Sequence, residues 1–138
     1  MKHFSLAFII LITIQANICS GADRSICNPG SEITYYPDGS LRSCVLKDFY
    51  AVDNVKCNQY AQIGFYETGK LYECIPADNF HYGIITCKRY GLIRFYKSGK
   101  LNKCDLEEEV EIDGKKCSPS GAISFFENGK LESCDLPH

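Results

Sequence analysis

Eight cysteines, Cys27, Cys44, Cys57, Cys74, Cys87, Cys104, Cys117 and Cys134, follow one another at spacings of 17, 13, 17, 13, 17, 13 and 17 residues. Chance does not hold such a register, and a fixed period in this range marks a repeat architecture. The unit is 30 residues, and the copies are 27–56, 57–86, 87–116 and a shorter 117–138. One copy buries too little to fold alone, so the copies must stack and share a core.

The same register runs through the residues between the cysteines. Copy three reads Gly91-Leu92-Ile93-Arg94-Phe95-Tyr96-Lys97-Ser98-Gly99-Lys100-Leu101-Asn102-Lys103-Cys104, and stretches 31–44, 61–74 and 121–134 repeat its chemistry. In copy one, Ile33-Thr34-Tyr35-Tyr36 is β-branched and aromatic and is bounded by Gly30 and Pro37, which reads as a strand. Pro37-Asp38-Gly39 is a turn: Pro presets φ and Gly supplies positive φ. The expected loop is a type I turn closed by a glycine bulge. Ile33, Tyr35 and Leu41 then share one face, as do Ile63, Phe65 and Leu71; Ile93, Phe95 and Leu101; and Ile123, Phe125 and Leu131. Tyr36, Tyr66, Tyr96 and Phe126 form a row on the other face, where cross-strand packing is the expected role. Beyond each hairpin a further apolar pair recurs, Leu46 with Val55 and Leu106 with Ile112, with Ile75 and Ile84 or Ile85 in copy two. It suggests a single third strand. No sustained helical period follows Ala22, so the expected fold class is all-β: an elongated antiparallel sheet of four stacked hairpin repeats, stapled by disulfides.

Residues 1–22 read as an export signal. Lys2 and His3 precede an apolar run over 4–14, and Ser20-Gly21-Ala22 offers small residues for cleavage. That run is shorter than the roughly 20 residues a membrane-spanning helix needs. Cys19 follows Asn17-Ile18 rather than small residues, so lipid anchoring there is not expected. Removal of 1–22 takes Lys2 and no acid, moving the net charge from −2 to −3. That balance carries no basic stripe for nucleic acid and no polybasic tail for a membrane surface.

An even cysteine count behind an export signal reads as a disulfide framework. No C-x-x-C spacing suggests zinc, haem or a redox pair. Two pairings are simple. The 17-residue spacing joins Cys27–Cys44, Cys57–Cys74, Cys87–Cys104 and Cys117–Cys134 and uses every cysteine. The 13-residue spacing joins Cys44–Cys57, Cys74–Cys87 and Cys104–Cys117 and strands two. The first is the expectation, although Cys27 must then fold back through Asn28-Pro29-Gly30 to bring its Cα within about 7 Å of Cys44.

The line Phe65-Tyr66-Glu67-Thr68-Gly69-Lys70-Leu71, repeated over 95–101 and 125–131, resembles bacterial MORN-type repeats in their variant form; copy one has Ser40 for the Lys. The resemblance covers about half of each unit. It implies a sheet of stacked hairpins serving as a scaffold or binding surface, with no fixed catalytic set to carry over.

Candidate partner-binding residues lie in the loops between copies, where the frame stays constant and the chemistry varies. They are Phe49 and Tyr50 in the first loop and Phe80, His81 and Tyr82 in the second; Glu107-Glu108-Glu109 occupies the third. Lys70, Lys100 and Lys130 beside the turns read as soluble edge residues. Past the leader only His81 and His138 could serve as imidazole catalysts, and no nucleophile elbow, metalloprotease helix or phosphate loop occurs. The expectation is an exported, periplasmic or extracellular, non-catalytic protein without cofactor or metal, recognising a protein or glycan. A small secreted effector or inhibitor is the competing class, and a thiol-redox or metal-handling role would require free cysteines.

Overall fold

The structure is a computed structural model in which residues 10, 12 and 21–137 are described. Most of the expected export signal 1–22 lies outside them, as do Cys19 and His138.

A short 3-10 turn, Arg24–Ile26, leads into copy one, which gives strands β1 (Thr34–Tyr35), β2 (Leu41–Val45), β3 (Tyr50–Val52) and β4 (Val55–Cys57). Copy two gives β5 (Gln62–Phe65), β6 (Leu71–Cys74), β7 (Phe80–Tyr82) and β8 (Ile85–Cys87). Copy three gives β9 (Ile93–Phe95), β10 (Leu101–Asp105), β11 (Val110–Ile112) and β12 (Lys115–Cys117), and copy four gives β13 (Ala122–Phe125) and β14 (Leu131–Cys134). The protein is all-β. An eight-stranded antiparallel sheet runs in the order β1-β2-β5-β6-β9-β10-β13-β14, and β3-β4, β7-β8 and β11-β12 form separate hairpins.

The turn chemistry sets the hairpins of the large sheet. The Gly39 N–H donates to the Tyr36 carbonyl at 2.9 Å, and the Tyr36 N–H donates to the Ser40 carbonyl at 2.9 Å. Gly39, Gly69, Gly99 and Gly129 all stand at φ between 86° and 89°, and the register shifts just inside the β5-β6 turn, between Gly64 and Phe65. This is the expected type I turn with its glycine bulge.

The alternation of the strands then fills one face. Cys44 lies opposite Ile63, Cys74 opposite Ile93, and Cys104 opposite Ile123, giving a buried row of alternating Ile and Cys. Phe65, Leu71, Phe95, Leu101 and Phe125 form a second buried row beside it. In copy one Tyr35 stays 46% exposed, because β1 is the edge strand and has a neighbour on one side only.

The segment after each of the first three sheet hairpins differs from the single strand expected there. It is a second hairpin closed by a two-residue turn. Asp53 and Asn54, and Asp113 and Gly114, all have positive φ, the arrangement of a type I′ turn. In the middle hairpin, Gly83 alone supplies positive φ. The place of Leu46 and Leu106 is held in copy two by the fully buried Pro76 and not by Ile75. Ile85 is buried and Ile84 is 75% exposed at the turn tip.

These three second hairpins cover the apolar face and are fastened to it through Cys57, Cys87 and Cys117, as the segment before β1 is through Cys27. Cys27–Cys44, Cys57–Cys74, Cys87–Cys104 and Cys117–Cys134 are bonded, with Cα–Cα distances of 5.5–5.8 Å. The pairing is the 17-residue one. Cys27 reaches Cys44 because the chain turns over 28–31 while the Asn28 N–H donates to the Val45 carbonyl at 2.7 Å. Asn58, Lys88 and Ser118 repeat that bond to Ile75, Asp105 and Asp135. Aromatic packing supports the same junction: Tyr50 meets Phe65 edge-on at 6.3 Å, and Phe80 meets Phe95 at 5.7 Å.

Candidate functional site

The open face of the sheet is a structural surface. The Tyr36 hydroxyl donates to the Phe65 carbonyl, Tyr66 to Phe95 and Tyr96 to Phe125, at 2.6–2.7 Å. Each bond joins one copy to the next, so the second aromatic row stitches the array together. Burial, with Tyr72 adding to it, raises the Tyr66 phenol above its usual value, while Arg94 opposes the shift. Arg94 pairs with Glu73 directly across β6 and β9 at 2.6 Å and lies over the Tyr72 ring. The hydrogen bond to Glu73 raises the Arg94 guanidinium further.

The loop residues singled out in the sequence divide into two groups. Tyr50 and Phe80 are partly buried against the core and anchor the β3-β4 and β7-β8 hairpins. Phe49, His81 and Tyr82 are exposed. The structure does not join them in one site. His81 is engaged by the Thr86 hydroxyl at 3.1 Å and borders a shallow cleft with Tyr82, whereas Phe49 lies on a different cleft.

That second cleft, of about 480 Å³, carries two residues that sequence reasoning passed over, Tyr60 and Tyr90. They occupy one place in the repeat, the third residue after the cysteine, where copies two, three and four turn left-handed and copy one, with Gly30, does not. Tyr60 has φ of 59° and Tyr90 of 66°. Their N–H groups tie the turn to the segment that follows the preceding sheet strand, Tyr60 donating to the Leu46 carbonyl at 2.9 Å and Tyr90 to the Pro76 carbonyl at 2.8 Å. A bulky side chain is uncommon at such a φ and costs about 1–2 kcal/mol there. The outer copies use ordinary turn residues instead, Pro29-Gly30 and Pro119-Ser120. The middle copies substitute Gln59-Tyr60 and Arg89-Tyr90 and leave the rings 70% and 62% exposed. Phe49, 44% exposed, lines the same cleft. Two cations attend these rings: Lys56 over Phe49 at 4.8 Å and Arg89 over Tyr90 at 5.3 Å.

A larger cleft, about 820 Å³, lies between residues 21–24 and the turns at 38–40 and 67–69. Gly21 and Ala22 form part of its wall and would leave with the expected export signal, so the Tyr60-Tyr90 cleft is the candidate site. With all eight register cysteines in disulfides, none is a free nucleophile or ligand. Among the described residues no three His, Cys, Asp or Glu side chains converge as a metal set. No helix among them is long and apolar enough to cross a membrane. The disulfides are compatible with an oxidising compartment.

Fold and site together define a disulfide-stapled β-hairpin repeat protein with an aromatic, cation-bearing cleft on its middle copies. Comparison with protein-family models, with curated proteins and with solved structures finds no match.

Proposed function

We propose that the chain is an exported, non-catalytic repeat protein of the MORN type, working as a rigid scaffold that presents side chains to a protein or glycan partner. One observation carries this reading. Equivalent turn places on a constant frame hold Gly30, Tyr60, Tyr90 and Ser120, and the large exposed rings stand only in the middle copies. Local rules broken at matching places, with a conformational cost and no packing gained, are the expected mark of a functional surface. Four staples and three tyrosine rungs hold that surface in one shape, which lowers the ordering cost of binding.

The test is a binding screen of the oxidised protein against a glycan array and a panel of secreted and cell-surface proteins. Saturable binding of a partner is expected, lost when Phe49, Tyr60, Tyr82 and Tyr90 are together replaced by Ser. No saturable binding on either panel, or turnover of a substrate in hydrolase and oxidoreductase assays, would contradict the scaffold.

A further inference from the structure

The Tyr60-Tyr90 cleft combines three features that specify a ligand class. The first is a row of flat apolar surfaces, Phe49, Tyr60 and Tyr90, exposed along one cleft. Such rings are amphipathic platforms, apolar on the face and polar at the tip. The second is spacing. Tyr60 and Tyr90 hold the same place in successive copies, and each copy adds two strands to the sheet, so their backbones repeat at about 10 Å. A step of that size suits an extended chain polymer with its own short period better than a single small molecule. The third is charge. Lys56 lies 4.0 Å from Asp78, but Arg89 makes no ion pair among the described residues. Its guanidinium sits over the Tyr90 ring in the open cleft. A guanidinium without a carboxylate of its own is a ready bidentate receptor for one. The protein as a whole is net acidic, so this local cation is not part of a general basic surface.

We infer that the cleft binds an acidic oligosaccharide, a β-linked chain carrying uronic acid carboxylates. Sugar faces stack on Tyr60 and Tyr90, and a carboxylate pairs with Arg89. The Gln59 and Asn58 amides line the same cleft and supply hydroxyl partners. This rests on the scaffold reading and names the ligand class of its surface.

The experiment is calorimetry of the oxidised protein with two hexamers, β-1,4-linked glucuronic acid and β-1,4-linked glucose, which differ at C6 alone. The acidic hexamer is expected to bind about tenfold or more tightly than the neutral one, and added salt should narrow the gap. Arg89→Gln should abolish the preference while leaving weak binding to both. Tyr60→Ser and Tyr90→Ser should each weaken binding about tenfold. Serine is the control for folding, because Ser120 already holds this left-handed place at φ 60°. Equal binding of both hexamers, unchanged by Arg89→Gln, overturns the acidic class and leaves a glycan-binding scaffold. Binding of neither overturns the cleft assignment. The array and protein panel, read on the same preparation, then decide separately whether the scaffold falls with it.

Discussion

The hydroxyl of Tyr66 donates to the backbone carbonyl of Phe95 at 2.7 Å, across 29 residues of chain. Tyr36 makes the same bond to Phe65 and Tyr96 to Phe125, so every junction between successive copies of the large sheet carries one rung. Phe126 holds the fourth place and has no hydroxyl to donate. The rungs explain why the second aromatic row keeps tyrosine where phenylalanine would pack equally well.

Tyr66→Phe should therefore cost about 1 kcal/mol, the usual net value of one such bond with its acceptor left behind. Phe126→Tyr should change stability by less than about 0.5 kcal/mol, because no strand lies beyond β14 among the described residues and the new hydroxyl meets solvent. Urea denaturation of the two variants beside the parent checks both.

The same rung makes stability depend on alkaline pH. Burial raises the Tyr66 phenol above the ordinary value of 10.0. The unfolded chain therefore releases that proton first as pH rises. The stabilisation is complete below about pH 10 and is lost as pH climbs through the raised folded value. The urea midpoint should fall as pH rises past about 10, and it should fall less in Tyr66→Phe, which has no phenol there to ionise. A parent and variant that decline in parallel would remove Tyr66 from the account.

Each staple spans 17 residues, and three of the four join a second hairpin to the sheet. Replacing Cys57 and Cys74 together by Ala should cost about 3 kcal/mol on the loop-entropy model. That exceeds the loss of any single rung, as expected where the core is one thin layer. Thermal denaturation of this variant and of Tyr66→Phe, measured under identical conditions, ranks the two contributions.

The left-handed tyrosines carry a stability cost that can be recovered. Tyr60→Gly and Tyr90→Gly should each stabilise the protein by about 0.5–1 kcal/mol, since relief of the left-handed strain outweighs the extra freedom of glycine in the unfolded chain. The same variants should lose ligand binding. A destabilised glycine variant would mean that the rings support the fold, and the cleft would lose its standing as a site.

Much of the frame was legible before any coordinates. The cysteine register marks the copies, and Pro37-Asp38-Gly39 with its counterparts marks the sheet hairpins, because turn residues and alternation act locally. The second hairpins were harder to read. Asp53-Asn54 and Asp113-Gly114 carry the two-residue turn signal, but the strands flanking them are three residues long. Alternation that short resembles a single strand. Tyr50 and Phe80 looked like exposed loop aromatics, whereas hairpin formation turns them onto Phe65 and Phe95. Tyr60 and Tyr90 escaped for the opposite reason: nothing around Gln59-Tyr60 announces a left-handed turn. The alignment of copies marks a turn there, since Pro29-Gly30 and Pro119-Ser120 hold the same places, but not its hand, because Gly30 itself is not left-handed.

The fold depends most on each copy being closed by its own disulfide. A non-reducing peptide map of the oxidised protein, with an intact mass before and after thiol alkylation, tests this directly. The predicted result is no alkylated thiol among the eight and the four crosslinks Cys27–Cys44, Cys57–Cys74, Cys87–Cys104 and Cys117–Cys134. Alkylated thiols among these eight, or crosslinks joining Cys44–Cys57, Cys74–Cys87 and Cys104–Cys117, would contradict it and release the second hairpins from the sheet.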